Sequence, residues 1–161
     1  MYKILSADLE KCTGCRTCEL VCSMKHHDEY NPQKSRIRVY NFVEQGYFVP
    51  VVCLHCNEAY CEKVCPAGAI TVNYDEKKGV RAVQISKEKC VGCKMCIFAC
   101  PFGNVRFIED GYSDKCDLCG GDPECVKSCA KEALKFKEVS ASYMQKIKST
   151  AEKILAAYQQ T

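Results

Sequence analysis

Cysteine is the residue type whose number and spacing in this sequence can do chemistry. The chain has 161 residues, 16 of them cysteine, and the cysteines form four groups of four with none left over. The groups read CTGCRTCELVC, CLHCNEAYCEKVC, CVGCKMCIFAC and CDLCGGDPECVKSC, and they begin at Cys12, Cys53, Cys90 and Cys116. So high a cysteine content indicates either a disulfide scaffold or a metal-binding protein.

The spacing within the groups favours iron–sulfur clusters. Cysteines at i, i+3 and i+6 can wrap one loop around a cubane, which needs a thiolate on each iron. The sequence therefore predicts one [4Fe–4S] cluster for each group of cysteines, four in all. The predicted iron ligands are Cys12, Cys15, Cys18, Cys22, Cys53, Cys56, Cys61, Cys65, Cys90, Cys93, Cys96, Cys100, Cys116, Cys119, Cys125 and Cys129.

Zinc is the alternative metal. A structural zinc site usually joins two C-x₂-C pairs across a gap, and the second and fourth groups contain such pairs at Cys53/Cys56 and Cys116/Cys119. The first and third groups instead place three cysteines within seven residues, which suits a cubane better. A zinc-stabilised interaction module is thus the alternative from a different functional class.

The N-terminus predicts a cytoplasmic protein. The start MYKILSADLEKC lacks the basic, apolar and small-residue parts of a signal peptide, and no stretch approaches the roughly 18 apolar residues of a membrane span. Thiols stay reduced in the cytoplasm, which disfavours the disulfide scaffold. The formal charge of +3 counts every cysteine as neutral, and four clusters would bring it to about −5. The charge therefore carries no signal for nucleic-acid binding.

The segments between the cysteine groups predict an α+β fold. Residues 69–74 and 80–85 alternate as strands around a turn at 75–79, and PFGNVRFIED after Cys100 contains another strand. The strand YKILSAD before the first group is expected to pair with ALKFKEV after the last.

The short link between the second and third groups favours two nested bacterial-ferredoxin-like units. The inner unit is predicted over residues 53–107 and the outer unit over 1–25 and 108–139, with an insert at 26–52. In the C-x₂-C-x₂-C-x₃-C-P pattern the fourth cysteine ligates the other cluster of a pair. Nesting therefore predicts four ligand sets: Cys12, Cys15, Cys18 and Cys129; Cys22, Cys116, Cys119 and Cys125; Cys53, Cys56, Cys61 and Cys100; Cys65, Cys90, Cys93 and Cys96. Tandem pairing, the first group with the second and the third with the fourth, is the alternative that the long insert disfavours.

The tail over residues 140–161 contains no cysteine and predicts a C-terminal helix. Apolar residues recur in it at helical spacing along one stripe: Tyr143, Ile147, Ala151, Ile154, Leu155 and Tyr158. The stripe is expected to pack on its own domain, on a partner subunit or on a second copy of the chain.

With these groups in place, the chain resembles the electron-transferring beta subunits of the dimethyl sulfoxide reductase family of molybdenum and tungsten oxidoreductases. The resemblance rests on all four groups, on C-x-H-C at Cys53–Cys56, on CP-x-GAI at Cys65–Ile70 and on P-x-CV-x-x-C at Pro123–Cys129. It also implies the nested pairing.

The resemblance implies a subunit that moves single electrons to or from a catalytic tungsten or molybdenum subunit, with a tungsten aldehyde oxidoreductase as the first candidate. Similar modules serve hydrogenases, carbon monoxide dehydrogenases and formate dehydrogenases, and a free polyferredoxin is a further alternative. The sequence itself offers no catalytic residue, because it has no G-x-G-x-x-G motif, no P-loop and no recognisable pair of nucleophile and base.

Several residues near the cysteines are ambiguous. His55, between two predicted ligands, is expected to be structural or hydrogen-bonding, and His26 and His27 to lie in a solvated loop. Three basic residues could raise a cluster potential or simply be solvated: Arg16, Lys94 and Lys115. Five aromatic residues are expected to pack in the core: Tyr2, Tyr40, Phe98, Phe102 and Phe107.

Overall fold

The computed structural model describes residues 2–139 together with Ser149. The strands are β1 (Tyr2–Ala7), β2 (Arg38–Phe42), β3 (Tyr47–Val51), β4 (Ile70–Asp75), β5 (Val80–Ile85), β6 (Arg106–Ile108), β7 (Tyr112–Asp114) and β8 (Leu134–Val139). The helices are α1 (Thr17–His27), α2 (Tyr60–Lys63), α3 (Met95–Phe98) and α4 (Glu124–Lys127). Short 3₁₀ turns cover Pro32–Lys34, Val43–Gln45 and Leu118–Gly121. Apart from Ser149, the predicted C-terminal helix lies outside the described residues.

A four-stranded sheet in the order β4-β5-β1-β8 joins the two ends of the described chain. Strands β1 and β8 are antiparallel, with Tyr2 opposite Val139 and Ala7 opposite Leu134. The predicted pairing of these two segments is therefore confirmed. Alternation explains it, because Leu134 is buried in β8 whereas Lys135 and Lys137 are exposed.

The predicted hairpin in the middle of the chain is also present. Strand β4 begins and ends one residue later than predicted, and β5 has the predicted bounds. The two strands are antiparallel, and Val80 of β5 lies beside Lys3 of β1 in the parallel direction. The strand expected after Cys100 is β6, which pairs with β7.

The apolar core is divided into two main clusters that both contain cysteines. One cluster packs Leu5, Ile37, Leu118 and Leu134 around Cys22 and Cys125, and α1 contacts α4 there. The other contains Ile70, Val83 and Val105 with Cys61 and Cys96, where α2 contacts α3. Cysteine therefore occupies positions that large aliphatic side chains fill in an ordinary core.

The insert between the first two cysteine groups is structured by the antiparallel hairpin of β2 and β3. Val39 and Pro50 face inward, whereas Tyr40 on the other face of the hairpin is 49% exposed. Phe98 at the end of α3 is 84% exposed and Phe107 is also exposed. The expectation of core packing is thus wrong for these three aromatic residues, because small aliphatic residues and cysteines fill the space inside.

The two other aromatic residues are covered at least in part. Tyr2 packs against Ile4 and Val139, and Phe102 is half-buried. Within residues 2–139, no helix is long and apolar enough to cross a membrane.

Candidate iron–sulfur centres

Three cavities in the described part of the chain are each lined by four cysteines, three from one group and one from another. One cavity contains Cys53, Cys56, Cys61 and Cys100. A second contains Cys22, Cys116, Cys119 and Cys125. A third contains Cys65, Cys90, Cys93 and Cys96. The structure thus brings cysteines of the second and third groups together, and likewise those of the first and fourth groups.

The remaining four cysteines are Cys12, Cys15, Cys18 and Cys129, and two of them lie at the first cluster of apolar residues. Cys18 and Cys129 both pack against it. Burial raises the pKa of Cys18 to about 12, and the Glu19 carboxylate and the Cys15 and Cys12 thiols act in the same direction. These three thiols of the first group are therefore close to one another.

The donor set fits an iron–sulfur cluster. Burial raises the pKa of the Cys56 thiol to about 11, and burial raises that of Cys116 well above its usual range. Neighbouring thiolates raise both pKa values further. Several buried thiolates in one cavity are costly unless a positive metal core compensates their charge. The cavities thus have the chemistry of metal sites rather than of ordinary cores.

Backbone N–H groups point at several of the sulfur atoms. Such N–H···S bonds favour the thiolate and help to set cluster potentials. The observed N–H···Sγ pairs are Arg36 to Cys22 (3.4 Å), Ala69 to Cys65 (3.3 Å), Asn104 to Cys100 (3.4 Å), Ser113 to Cys90 (3.4 Å) and Leu118 to Cys116 (3.4 Å).

The first C-x₂-C loop of each of the four cysteine groups shares one backbone feature. The residue before the second cysteine has a left-handed conformation in each loop, with φ of +68° at Gly14, +46° at His55, +68° at Gly92 and +59° at Leu118. Glycine adopts this conformation freely, whereas histidine and leucine are strained in it. The common turn therefore persists in all four loops despite the change of residue type, and the two non-glycine members could not be recognised from residue type.

The loop from Cys53 to Cys56 is held by β5. The Arg81 guanidinium donates to the carbonyl oxygens of His55 (2.5 Å), Cys56 (2.8 Å) and Asn57 (3.1 Å). The fully buried His55 accepts a hydrogen bond at Nδ1 from the Val83 N–H over 3.0 Å. The expected hydrogen-bonding role of His55 is confirmed. Its Nε2 atom is buried and has no hydrogen-bond partner among the described residues.

Lys115 is the basic residue that the structure places closest to the cysteines. It is 3% exposed, and its Nζ atom lies 3.8 Å from Cys61 Sγ. Burial by itself would lower the pKa of Lys115, but the neighbouring cysteines Cys53, Cys61 and Cys100 together outweigh this effect and raise the pKa. The alternative of a solvated side chain is therefore wrong for Lys115. The sequence left both roles of Lys115 open, because no neighbouring residue in the sequence indicates that its side chain is buried.

Arg16 and Lys94 are exposed, in contrast to Lys115. Arg16 Nη2 donates to the Val39 carbonyl over 3.3 Å, and Lys94 Nζ lies 4.1 Å from the centre of the Phe107 ring. Solvation is thus the better description of these two side chains.

A charged network lies beside the second cavity. The Arg36 guanidinium contacts Asp114 Oδ2 (2.7 Å) and Asp117 Oδ2 (2.9 Å). His26 Nε2 lies 3.5 Å from Asp117 and 3.6 Å from Cys119 Sγ, and His27 Nε2 lies 3.5 Å from Asp114. The expectation of a solvated loop is wrong for both histidines, because they end helix α1 and face carboxylates that are distant in sequence.

Comparison with known proteins agrees with this chemistry. The family described as a 4Fe-4S dicluster domain matches residues 52–104, and a second family of the same description matches residues 11–70. The polyferredoxin-like subunit of aliphatic sulfonate oxidoreductase from Pyrococcus furiosus is 44% identical over 122 residues, which cover 74% of this chain and 67% of that subunit.

Two relatives from Escherichia coli K12 match more of this chain. One subunit of anaerobic dimethyl sulfoxide reductase is 35% identical over 150 residues, covering 80% of this chain and 70% of its own length. The putative oxidoreductase UacF is 35% identical over 164 residues and covers 98% of this chain, which spans only 24% of UacF. A chain of the BamBC active-site complex of benzoyl coenzyme A reductase has a similar fold, with a TM-score of 0.50 at 25% identity over 99% of this chain and 98% of that one.

The chain therefore belongs to the family of 4Fe-4S dicluster electron-transfer subunits of oxidoreductases. Its cofactors are four [4Fe–4S] clusters, since two dicluster domains match and the chain has sixteen cysteines. Three relatives are named as a polyferredoxin-like subunit, an electron transfer subunit and a chain of oxidoreductases rather than as catalytic subunits. The chain is accordingly a non-catalytic subunit that works with a catalytic partner, as the sequence predicts.

Proposed function

We propose that this electron-transfer subunit serves a catalytic chain that carries a tungsten or molybdenum pterin, with an aldehyde oxidoreductase as the first candidate. The observation that carries this proposal is the likeness to subunits named for sulfonate oxidoreductase and for dimethyl sulfoxide reductase. A cytoplasmic location stays a prediction from the sequence.

We further propose that the sixteen cysteines hold the clusters in four sites. The first site is Cys12, Cys15, Cys18 and Cys129; the second is Cys22, Cys116, Cys119 and Cys125; the third is Cys53, Cys56, Cys61 and Cys100; the fourth is Cys65, Cys90, Cys93 and Cys96. The cavities described above support the second, third and fourth sets. When bound, a [4Fe–4S] cluster supplies a one-electron redox centre, while the protein sets its position and potential.

The nested arrangement of two ferredoxin-like units belongs to the same proposal. Residues 53–107 would form the inner unit, residues 1–25 and 108–139 the outer unit, and 26–52 the insert. The pairing of β1 with β8 and the contacts of α1 with α4 support the outer unit. The pairing of β4 with β5 and the contacts of α2 with α3 support the inner one.

Neighbouring thiols suggest that the four sites follow one another in a row. Burial raises the pKa of Cys125, and the charges of Cys22, Cys119 and then Cys18 add to this effect, so the first site adjoins the second. The charge of Cys53 contributes in the same way at Cys116, after burial, so the second and third sites adjoin. Cys96 of the fourth site lies in α3, and Cys100 of the third site follows two residues after this helix ends. The protein therefore keeps adjacent redox centres close together.

The two ends of this row are nearest to solvent. Cys15 of the first site and Cys93 of the fourth are exposed, whereas the other cysteines are buried or half-buried. Redox partners can approach a cluster most closely where its ligands reach the surface. One end is thus available to the catalytic chain and the other to a second electron carrier.

The experiment is anaerobic purification of the native complex with iron, acid-labile sulfide, zinc, tungsten, molybdenum and nickel measured in one chromatographic peak. We expect about 16 irons per chain, co-eluting with tungsten or molybdenum. Nickel in that peak would shift the partner to a hydrogenase or carbon monoxide dehydrogenase. Iron on a chain that elutes alone would contradict the partner and favour a free polyferredoxin. Zinc without sulfide would contradict the cofactor.

A further inference from the structure

Lys115 lies at the junction of the second and third cluster sites. It directly precedes Cys116 of the second site, and its ammonium group contacts Cys61 of the third over 3.8 Å. Cys53 and Cys100 are also near enough to interact with it electrostatically. The ammonium group therefore points toward the third site, although its backbone belongs to the second.

The charge of Lys115 has no carboxylate to balance it within residues 2–139. The contacts of its ammonium group there are the thiol sulfurs just described. A buried cation is costly unless an anion lies beside it. The anion that completes this arrangement is a cluster with its thiolate ligands, whose total charge is about −2 in the oxidised form. The positive charge of Lys115 and the negative charge of the cluster thus compensate each other.

The basic residues beside the other sites are balanced or solvated. Arg36, whose N–H donates to Cys22 of the second site, has its guanidinium paired with Asp114 and Asp117. Arg16 beside the first site is exposed and lies 3.7 Å from the Glu19 carboxylate. Lys94 beside the fourth site is exposed to solvent. Among the described residues, the third site alone has a buried and uncompensated cation.

The neighbouring His55 ring does not carry a positive charge of its own. Its Nδ1 atom accepts the Val83 N–H, so a neutral ring carries its proton on Nε2. The ring is therefore a neutral neighbour of Lys115 and adds no second positive charge beside the third site.

We propose that Lys115 is a potential-setting residue that makes the cluster of the third site the most readily reduced of the four. This inference rests on the ligand sets proposed above. One added electron makes that centre more negative by one charge, and a fixed cation at low dielectric favours the more negative state. The reductant is a low-potential donor, dithionite in the test and the redox partner in the complex. An electron within the row of clusters is then most stable at the third site.

The test is an anaerobic redox titration of the purified holo-protein, followed by electron paramagnetic resonance. Cys61→Ser and Cys100→Ser identify which of the four reduction steps belongs to the cluster of the third site, because each variant replaces one ligand of that cluster. This cluster is called the marked cluster. The variants to titrate are Lys115→Met, which removes the charge at similar length, and Lys115→Arg, which retains it. Lys94→Met is the matched control, since it also removes a lysine next to a ligand but one that is solvated. Iron and sulfide are measured for every variant.

We expect Lys115→Met to lower the equilibrium constant for reduction of the marked cluster at least tenfold, which is about 59 mV for one electron. The other three potentials should move less, Lys115→Arg should stay near the parent, and Lys94→Met should leave all four unchanged. An unchanged potential in a fully loaded Lys115→Met protein would overturn the inference, as would an equal shift in Lys94→Met.

Two further outcomes keep the inference separate from the proposed ligand sets. If Cys61→Ser and Cys100→Ser mark different clusters, the sets themselves are wrong, and this inference fails with them. If Lys115→Met does not bind all four clusters, the inference is tested on the parent protein alone. In the parent, the marked cluster must be the first of the four to be reduced. A marked cluster that is reduced later than another one overturns the role of Lys115 and leaves the sets intact.

Discussion

The ring of Phe48 lies directly against Gly14, where the first cysteine loop turns. A Cβ atom at Gly14 would overlap this ring, and the φ of +68° at Gly14 is one that side-chain-bearing residues rarely adopt. The hairpin of the insert therefore fixes the loop that carries Cys12 and Cys15. This contact packs the insert against the first cysteine loop.

Substitution Gly14→Ala should reduce loading of the first site. We expect a loss of about four irons from about sixteen per chain, because the alanine side chain pushes the loop away from Phe48. The measurement is iron and sulfide per chain after anaerobic purification. Gly46→Ala is the control, since Gly46 also has a positive φ of +71° but open space around it. Full iron content in Gly14→Ala would show that the loop tolerates the displacement.

Double substitution of cysteines should distinguish nested from tandem pairing. In the nested arrangement Cys22 and Cys119 share one cluster, so Cys22→Ser/Cys119→Ser should lose about four irons. The matched double variant Cys22→Ser/Cys53→Ser should lose about eight, because its cysteines belong to different clusters. Tandem pairing reverses the two results. Iron content and the number of reducible centres in each double variant provide the measurement.

Removal of the Arg36 guanidinium should destabilise the protein. The Asp114 side chain is 6% exposed, and Arg36→Met would leave its carboxylate without its 2.7 Å partner. Breaking such a buried pair costs about 3 kcal/mol, which lowers the midpoint temperature for loss of cluster absorbance by roughly 6–12 °C at this chain length.

The control for Arg36 is Lys63→Met. The pair of Lys63 with Glu58 is exposed, with side-chain exposures of 58% and 46%. Exposed pairs contribute little, so the midpoint should move by no more than about 2 °C. Equal midpoints for the two variants would mean that Arg36 does not stabilise the fold through its carboxylates.

Deletion of residues 140–161 should leave the clusters in place and weaken assembly. The apolar stripe predicted for this segment needs a surface to cover it, and we propose a partner subunit or a second copy of this chain. Iron per chain should stay at the parent value, while the mass of the native complex should fall. Native mass spectrometry of both proteins makes the comparison. A complex of unchanged composition would exclude docking through the tail.

The features that could be predicted from the sequence are those with local signals. Alternation of apolar and polar residues predicted the strand at 80–85 and the pairing of β1 with β8, because one face of this sheet is buried. The spacing of the cysteines predicted the cofactor, because a cubane requires ligands at short and regular intervals.

The features that could not be predicted depend on contacts between distant segments. His26 and Asp117 meet although they are 91 positions apart in the numbering, and Lys115 reaches Cys61 across 54 positions. Burial of these groups is decided by what packs over them, which residue type does not reveal. The strained turns at His55 and Leu118 carry no glycine signal for the same reason: the loop around them, rather than their own preference, holds the backbone.

The pairing of β1 with β8 has a consequence for synthesis of the chain. Until Leu134–Val139 has left the ribosome, the strand Tyr2–Ala7 has only its single parallel bridge, Lys3 beside Val80, to hold it. The hairpin of β4 and β5 is complete some fifty residues earlier in translation. The nascent chain therefore exposes the thiols of its first group while the middle of the molecule can already fold. The thiols of the first group are made first, but the strand that precedes them gains its antiparallel partner last. These thiols are therefore the ones most open to oxidation during synthesis.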